Sequence, residues 1–252
     1  MCTLELDFGH NETSSYNRTL DLKTGIAEIQ DVSQGTRFSR QAVASFPHGV
    51  LALKLSSTIP KSISFNMSLS RSQNVTSVSL DSNRAVTLRG TSSADKSISF
   101  ATQARLVAKG GTVTSIEDKT LVIKDADEAW IYVNGETSWR HPLGPAEYEA
   151  ALKRTIDQAV SLGWNKILEC AVEDYQGLAG RVSLDLGGSG IPGTAATDQR
   201  IKAWRAGANF TADPELLTLM FNYGRYYIFM STIDSNARTS SPQGSRSLLW
   251  KI

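Results

Sequence analysis

The sequence predicts a mainly β protein: an antiparallel β-sandwich, followed by linker helices and one isolated, strongly apolar helix. Three observations carry that reading. Apolar and polar residues alternate on both sides of a break at Thr58-Ile59-Pro60-Lys61, with Leu51, Leu53 and Leu55 before it and Ile63, Phe65, Met67 and Leu69 after it. Short segments of this kind recur up to Val133, separated by Gly, Pro, Ser and Asn, with no helical pattern between them. At Pro142 the spacing of apolar residues changes from two to that of helices. A period of two marks strands with one buried and one wet face, and many such strands with short turns pack as a sandwich.

The run from Leu51 to Leu69 is the centre of this pattern and reads as two adjacent strands. Burying its seven large side chains at roughly 1.5–3 kcal/mol each gives on the order of 10–20 kcal/mol before conformational entropy is subtracted, so the apolar face needs a second layer. Residues 3–8 open the chain as a strand. Tyr16 to Ile29 carries Leu20, Leu22, Ile26 and Ile29 around a turn at Lys23-Thr24-Gly25. Thr36 to Phe46 sets Phe38, Ala42, Ala44 and Phe46 on one side and Arg37, Ser39, Gln41 and Ser45 on the other. Pro47-His48-Gly49 turns the chain into the central pair. Shorter strands follow at Val78–Leu80, Val86–Leu88 and Ile98–Val107, then a turn at Gly110-Gly111. Thr112–Ile116, Leu121–Ile123 and Trp130–Val133 complete the series.

The helical part opens at Gly144-Pro145, with Glu147 and Glu149 near the positive helix end. Tyr148, Leu152, Ile156 and Ala159 share a face, and Gly163 ends the first helix. Trp164, Ile167, Leu168, Ala171, Tyr175 and Leu178 form a second. A return strand is expected at Val182–Leu186, and a short helical stretch at Thr197–Trp204. The last helix, capped by Asp213 with Pro214 first, runs to about Ile233. Its apolar residues from Leu216 to Met230 leave almost no polar face. A central Arg225 costs about 2.5–3.5 kcal/mol in a bilayer, which argues against a membrane span and for a helix buried on nearly all sides. Only a polar tail follows it, so the neighbours that helix needs are not evident in this chain.

The 252 residues carry a formal net charge of +1, with 40% hydrophobic and 20% charged residues. That balance gives no electrostatic case for nucleic acid or an anionic membrane. Cys2 and Cys170 form no disulfide framework and read as free thiols. The sequence start lacks the basic and apolar segments of a signal peptide. Sequons at Asn11, Asn17, Asn66, Asn74 and Asn209 nevertheless point to a secreted, extracellular glycoprotein.

Candidate chemistry is sparse. Gly188 to Gly193 fits G-x-G-x-x-G, but Pro192 sits badly in the required turn and Glu215 lies in a helix, so a connector is the better reading. Asp125, Asp127 and Glu128 form an acidic knot read as a solvated turn between two strands. His10, His48 and His141 are scattered, with no paired ligand spacing, so neither metal nor cofactor is implied. Trp130 and Trp139, with Tyr132, are candidate sugar-contact residues, since aromatic faces stack on sugars; core packing is the competing reading.

Several motifs in order resemble glycoside hydrolase family 95, whose best-known activity is α-L-fucosidase. Tyr16-Asn17-Arg18-Thr19-Leu20-Asp21-Leu22-Lys23-Thr24-Gly25-Ile26-Ala27 is similar to its "Y-x-R-x-L-D-L-x-T-G-I-A" stretch. Thr36-Arg37-Phe38-Ser39-Arg40 and Ala44-Ser45-Phe46-Pro47 resemble its next strand pair. Asp174-Tyr175 and Arg181 to Gly187 resemble the end of its linker. Thr197-Asp198-Gln199-Arg200-Ile201 and Phe221-Asn222-Tyr223-Gly224-Arg225-Tyr226 resemble the opening of its catalytic domain. The likeness covers about residues 4–233. It departs at Ala171, where the family usually has His, at Ala179, where it usually has Phe, and in the tail from Ser235, which lacks the usual "L-P-A-N-L-Q-G-x-W" continuation.

The resemblance implies a sandwich domain at 1–142, a helical linker with its return strand at 143–195, the start of an (α/α)6 catalytic barrel at 196–233, and an atypical, disordered tail at 234–252. It also implies family sequence before and after these residues. By resemblance, the parent enzyme hydrolyses terminal α-fucosyl linkages of fucosylated oligosaccharides or polysaccharides, with inversion and without a metal. The barrel that carries the family's acid and base is not represented, so no catalytic residue carries over and the chain alone is expected to be inactive. A secreted carbohydrate-binding sandwich module is the alternative reading.

Overall fold

The computed structural model describes residues 2–10, 12–82, 84–94, 98–188, 195–207 and 213–232. Asn11, Asn209, positions 189–193 of the Gly-rich motif and the tail 234–252 lie outside the described residues. Contacts divide the described residues into two compact units, one built on 2–21 and Ile26–Asp174, the other on Leu22–Gly25 and 175–232.

The first unit is antiparallel throughout. Its strands are β1 (Thr3–Asp7), β2 (Ser14–Asp21), β3 (Ile26–Ser33), β4 (Thr36–Ser45), β5 (Val50–Ser57), β6 (Ile63–Ser70), β7 (Val75–Ser82), β8 (Ala85–Thr91), β9 (Ser99–Ile116) and β10 (Thr120–Thr137). The main sheet runs β2-β3-β4-β5-β10-β9-β8-β7, while β6 joins β1 to β10. Strand β10 changes neighbour along its length. Leu121 to Ala126 pair with β6, and Glu128 to Val133 pair with β5. Leu4, Phe65, Met67 and Leu69 of the β1–β6 flap share one core with Leu53, Leu55, Leu88, Leu106 and Ile131 of the main sheet. Two apolar faces thus close on each other, the sandwich that alternation predicts.

The alternating strands β5 and β6 are not sheet neighbours, contrary to the expectation from sequence. Each pairs with a different half of β10, and residues 58–61 carry the chain from one layer to the other. The amide of Lys61, at φ 57°, donates to Asp127 Oδ1 at 3.0 Å and ties this crossing to β10. Alternation reports which face is buried, not which strand lies alongside.

Gly110-Gly111 is likewise no turn. Both lie inside β9 at φ 69°, opposite an irregular step in β10 between Ala126 and Glu128. A Cβ on Gly111 would meet the carbonyl oxygen of Lys124 at 2.3 Å and the nitrogen of Ala126 at 2.7 Å. Asp125 takes φ 58° and donates its amide to Ser64 Oγ at 3.0 Å. The acidic knot is therefore a bulge inside one long strand, at the place where the β9–β10 ribbon passes from one layer to the other.

The outer face of the main sheet is covered by α1 (Pro145–Ala179), which breaks at Gly163 with φ 76° and ψ 167°. Tyr148, Leu152, Ile156 and Ala159 before the break, and Trp164, Ile167 and Ala171 after it, pack with Val43, Val50, Ala52, Ala101 and Tyr132. This second core explains a misassigned face. Val43 and Ser45 are buried while Ala44 is exposed and Phe46 is 41% exposed, because both faces of β4 are partly covered.

In the second unit, the Tyr175 hydroxyl donates to the Leu22 carbonyl at 2.8 Å, fixing the 22–25 turn to the end of α1. Residues 182–188 form no strand, so the alternation of Val182 to Leu186 finds no ladder partner among the described residues. The remaining elements are α2 (Thr197–Arg205) and α3 (Pro214–Thr232). Among the described residues no helix is long and apolar enough to cross a membrane. The face of α3 with Met220, Phe221, Tyr223, Tyr227 and Ile228 is exposed, so this helix is covered on one side only and not on nearly all sides.

Candidate functional site

Glycoside hydrolysis needs two polar groups flanking the bond to be cut, usually carboxyls about 6.5–9.5 Å apart in an inverting enzyme. The polar clusters of this chain can be measured against that requirement.

The largest cluster links β7, β8 and β9 to α1. Arg89 forks onto Glu149, with Nε donating to Oε1 at 2.9 Å and Nη2 to Oε2 at 2.8 Å, and Nη1 donates to Ser79 Oγ at 2.9 Å. The Glu149 hydrogen bonds raise the Arg89 pKa further above its ordinary value against the lowering effect of burial. Gln103 Nε2 donates to Asp81 Oδ2 and to Thr87 Oγ1, both at 2.9 Å. Arg105 reaches Asp157 Oδ1 at 3.2 Å, and Lys153 Nζ donates to Asp157 Oδ2 at 2.5 Å. Every carboxylate here is already held by a cation or donor. The cluster is a clamp between sheet and helix, not a pair of free acids.

A solvent-open depression of about 470 Å³ lies beside it, lined by Ala150, Lys153, Arg154, Asp157, Gln158 and Ser161. All six belong to one helix, and its single carboxylate is the one that Lys153 and Arg105 hold. It offers no opposed acid.

His141 stands between two carboxylates, with Nε2 3.5 Å from Glu136 Oε2 and Nδ1 3.6 Å from Glu147 Oε1. Glu147 also accepts the Leu143 amide at 3.1 Å, reaching back from the first turn of α1 to the chain that enters it. The imidazole fills the gap between the acids, so a sugar cannot lie there. His10 approaches Asp31, which is 2% exposed and paired with Arg40; Phe8 and Phe38 pack around them. His48 Nδ1 lies 2.8 Å from Ser45 Oγ. No group of three His, Cys, Asp or Glu with metal-holding geometry occurs among the described residues.

In the second unit, Arg200 Nε donates to Asp213 Oδ2 at 2.9 Å and Nη2 to Oδ1 at 2.6 Å, while Glu215 lies 3.7 Å away. The Asp213 hydrogen bonds hold the Arg200 pKa above its ordinary value. Asp213 Oδ1 accepts the Leu216 amide at 3.1 Å, the N-cap that the sequence indicates. Arg225 donates to the carbonyls of Ala179 and Val182 at 2.9 and 2.6 Å, so the charge in the middle of α3 satisfies the open end of α1.

The sugar-contact candidates are not brought together. Trp130 is half-buried and packs against the core beneath α1, beside the buried Tyr132. Trp139 is 78% exposed in the turn after β10. Seven residues of extended strand, roughly 23 Å, separate Trp130 from the end of β10. Among the sequons, Asn17 is exposed on β2, and Asn66 and Asn74 are half-exposed. Cys2 and Cys170 are free. The Arg200–Asp213 and Arg89–Glu149 pairs escape sequence reasoning because their partners lie 13 and 60 residues apart, outside any local spacing rule.

Residues 1–142 match the sequence model of the glycosyl hydrolase family 65 N-terminal domain, and residues 163–244 match that of the glycosyl hydrolase family 95 catalytic domain. The chain is 26% identical to Alpha-L-fucosidase 2 of Arabidopsis thaliana, over 91% of this chain and 30% of that protein. It is 26% identical to Probable alpha-fucosidase A of Aspergillus oryzae, over 96% of this chain and 35% of that protein. The Aspergillus niger Probable alpha-fucosidase A is 22% identical, over 99% and 32%. The chain thus spans about a third of the length of the curated relatives it matches. Strands β1 to β10 fall within the first match and α2 and α3 within the second, while α1 begins between the two and enters the second at Gly163; the chain belongs to the glycosyl hydrolase family 65 N-terminal domain family, continuing into sequence of the family 95 catalytic domain.

Proposed function

We propose that this polypeptide supplies the non-catalytic sandwich, the linker and the opening helices of a fucosidase-like glycoside hydrolase. The activity concerned is hydrolysis of terminal α-L-fucosyl linkages in fucosylated oligosaccharides or polysaccharides. The observation that carries the proposal is the alignment of 91–99% of the chain with curated α-fucosidases. The polar clusters support a scaffolding role, because their carboxylates are bound to cations or hold a His between them. A chimera tests this: the aligned third of the Arabidopsis relative is replaced by this chain, and hydrolysis of an aryl α-L-fucoside is measured. Retained hydrolysis is expected. A folded chimera without it counts against the reading.

A second reading rests on Trp139. Its turn is pinned by Ser138 N to Ser99 O at 2.9 Å and by Arg140 N to Thr137 O at 3.2 Å, yet the indole is 78% exposed. A rigidly held, open aromatic face suits stacking on a sugar. Titration with fucosylated oligosaccharides tests this reading, with saturable binding lost in Trp139→Ala as the supporting result. Extracellular localisation and glycosylation are proposed from the sequons at Asn17, Asn66 and Asn74. Expression behind a secretion leader followed by glycosidase digestion would then shift the electrophoretic mobility of the chain.

A further inference from the structure

The setting of His141 fits one protonation state of its ring and not the other. Its Nε2 lies 3.5 Å from Glu136 Oε2 at the end of β10, and its Nδ1 lies 3.6 Å from Glu147 Oε1 in the first turn of α1. Both ring nitrogens therefore face carboxylate oxygens. A neutral imidazole carries one N–H, so one nitrogen must turn its lone pair toward an acid. The imidazolium carries two and pairs with both. The other histidines differ. His10 meets one acid, Asp31, through one nitrogen, and His48 meets the Ser45 hydroxyl, arrangements that a neutral tautomer satisfies.

The mismatch has weight because the site is sheltered. The His141 and Glu136 side chains are 20% and 14% exposed. Glu147 is better placed, since its other oxygen takes the Leu143 amide and the amide end of α1 favours an acid there. Arg140 adjoins His141 in the turn, and the two acids together offset the charge of an imidazolium beside it. The turn has few other ties between its ends. At its start, the Ser138 amide donates to the Ser99 carbonyl at 2.9 Å and Ser138 Oγ accepts the Ser99 amide at 3.0 Å. At its end, the Gly144 amide donates to the His141 carbonyl at 3.1 Å. The imidazole joins the β10 side of this turn to the α1 side.

We propose that His141 is a proton-dependent latch on residues 138–144. As the imidazolium it bridges Glu136 and Glu147 and holds the turn between β10 and α1; on losing its proton it lets go of one acid and the turn loosens. A histidine side chain changes charge between about pH 5 and 8. The latch is therefore closed on the acid side of that range and open on the alkaline side. The proposal needs neither the hydrolase reading nor sugar stacking at Trp139, since it concerns only the hold on a turn.

Amide hydrogen exchange of the full chain, with labelling times scaled for the intrinsic pH dependence of exchange, reads that hold. Protection of residues 139–147 should be about three- to tenfold higher at pH 5.5 than at pH 8.0, while β5 serves as the unchanging reference. Glu136→Gln offers Nε2 an amide donor while Nδ1–H still serves Glu147, so the neutral ring satisfies both sides. Its protection should stay at the acid-side level at both pH values. His141→Gln has no titrating proton, and its protection should also be the same at both. Equal protection of the wild-type turn at the two pH values overturns the proposal. So does a pH difference that either variant retains in full, which would place the titrating group elsewhere.

Discussion

Arg200 and Asp213 form a two-point ion pair in which both side chains are less than a tenth exposed, and the same carboxylate caps the helix that follows it. One residue pair thus ties α2 to the residue that caps α3 and satisfies an orphan amide at the start of α3. Removing one partner leaves a buried charge uncompensated. Arg200→Met is expected to destabilise the second unit by about 3–5 kcal/mol, and Asp213→Ala by a similar amount plus about 1 kcal/mol for the lost cap. Hydrogen exchange across 197–205 and 214–232 reads this directly. Unchanged protection in both variants would show the pair to be incidental.

The corner at Gly111 admits no side chain. Gly111→Ala sets a Cβ against the Lys124 carbonyl at 2.3 Å and keeps a left-handed backbone, so a loss of several kcal/mol is expected in urea unfolding. Gly35, at φ 77° with nothing within 4 Å, isolates the conformational part, and Gly35→Ala should cost only about 1 kcal/mol. Equal effects would mean that the close approach in β9 contributes nothing.

The clamp between sheet and α1 should have an acid limb. The hydrogen bond from Lys153, aided by the Lys153 and Arg105 charges, holds the Asp157 pKa below the ordinary carboxylate value. A carboxyl with a lowered folded-state pKa contributes stability above its unfolded value, near 3.9, and loses it as pH falls through the folded value. Asp157→Asn should therefore narrow its stability difference from wild type as pH drops below about 4. A constant difference from pH 6 to pH 3 would place the group outside this linkage. The size of the effect is small because Asp157 is 41% exposed.

Ile156 is fully buried between α1 and the outer face of the main sheet. Ile156→Ala removes its side chain from the second core and should cost about 2–5 kcal/mol. Thermal unfolding of the full chain checks this. A change below about 1 kcal/mol would mean that α1 packs too loosely to support the sheet.

What the sequence made legible were faces and boundaries. Ile63, Phe65, Met67 and Leu69 are all buried on one side of β6, as their spacing requires, and Gly163 breaks α1 where the helical pattern pauses. What stayed hidden were neighbours. Nothing local distinguishes β5 and β6 as partners from β5 and β6 as occupants of opposite layers; pairing depends on β10, more than 50 residues downstream. Gly110-Gly111 has the composition of a turn, and only the facing bulge at Asp125–Asp127 makes it the bend of a continuous ribbon. The alternation of β4 puts Ser45 on the wet side, yet it is buried, and its neighbour Val43 packs under a helix that begins a hundred residues later. The candidate site was legible chiefly by exclusion. Trp130 and Trp139 look equivalent in the sequence, yet one packs in the sheet and the other stands in solvent.

The central proposal is that this chain supplies scaffold to a fucosidase-like hydrolase and does not hydrolyse fucosides alone. Incubating the purified full chain with an aryl α-L-fucoside and following aglycone release tests that most directly. Release indistinguishable from a protein-free blank is predicted; release that rises in proportion to the amount of chain added would contradict it.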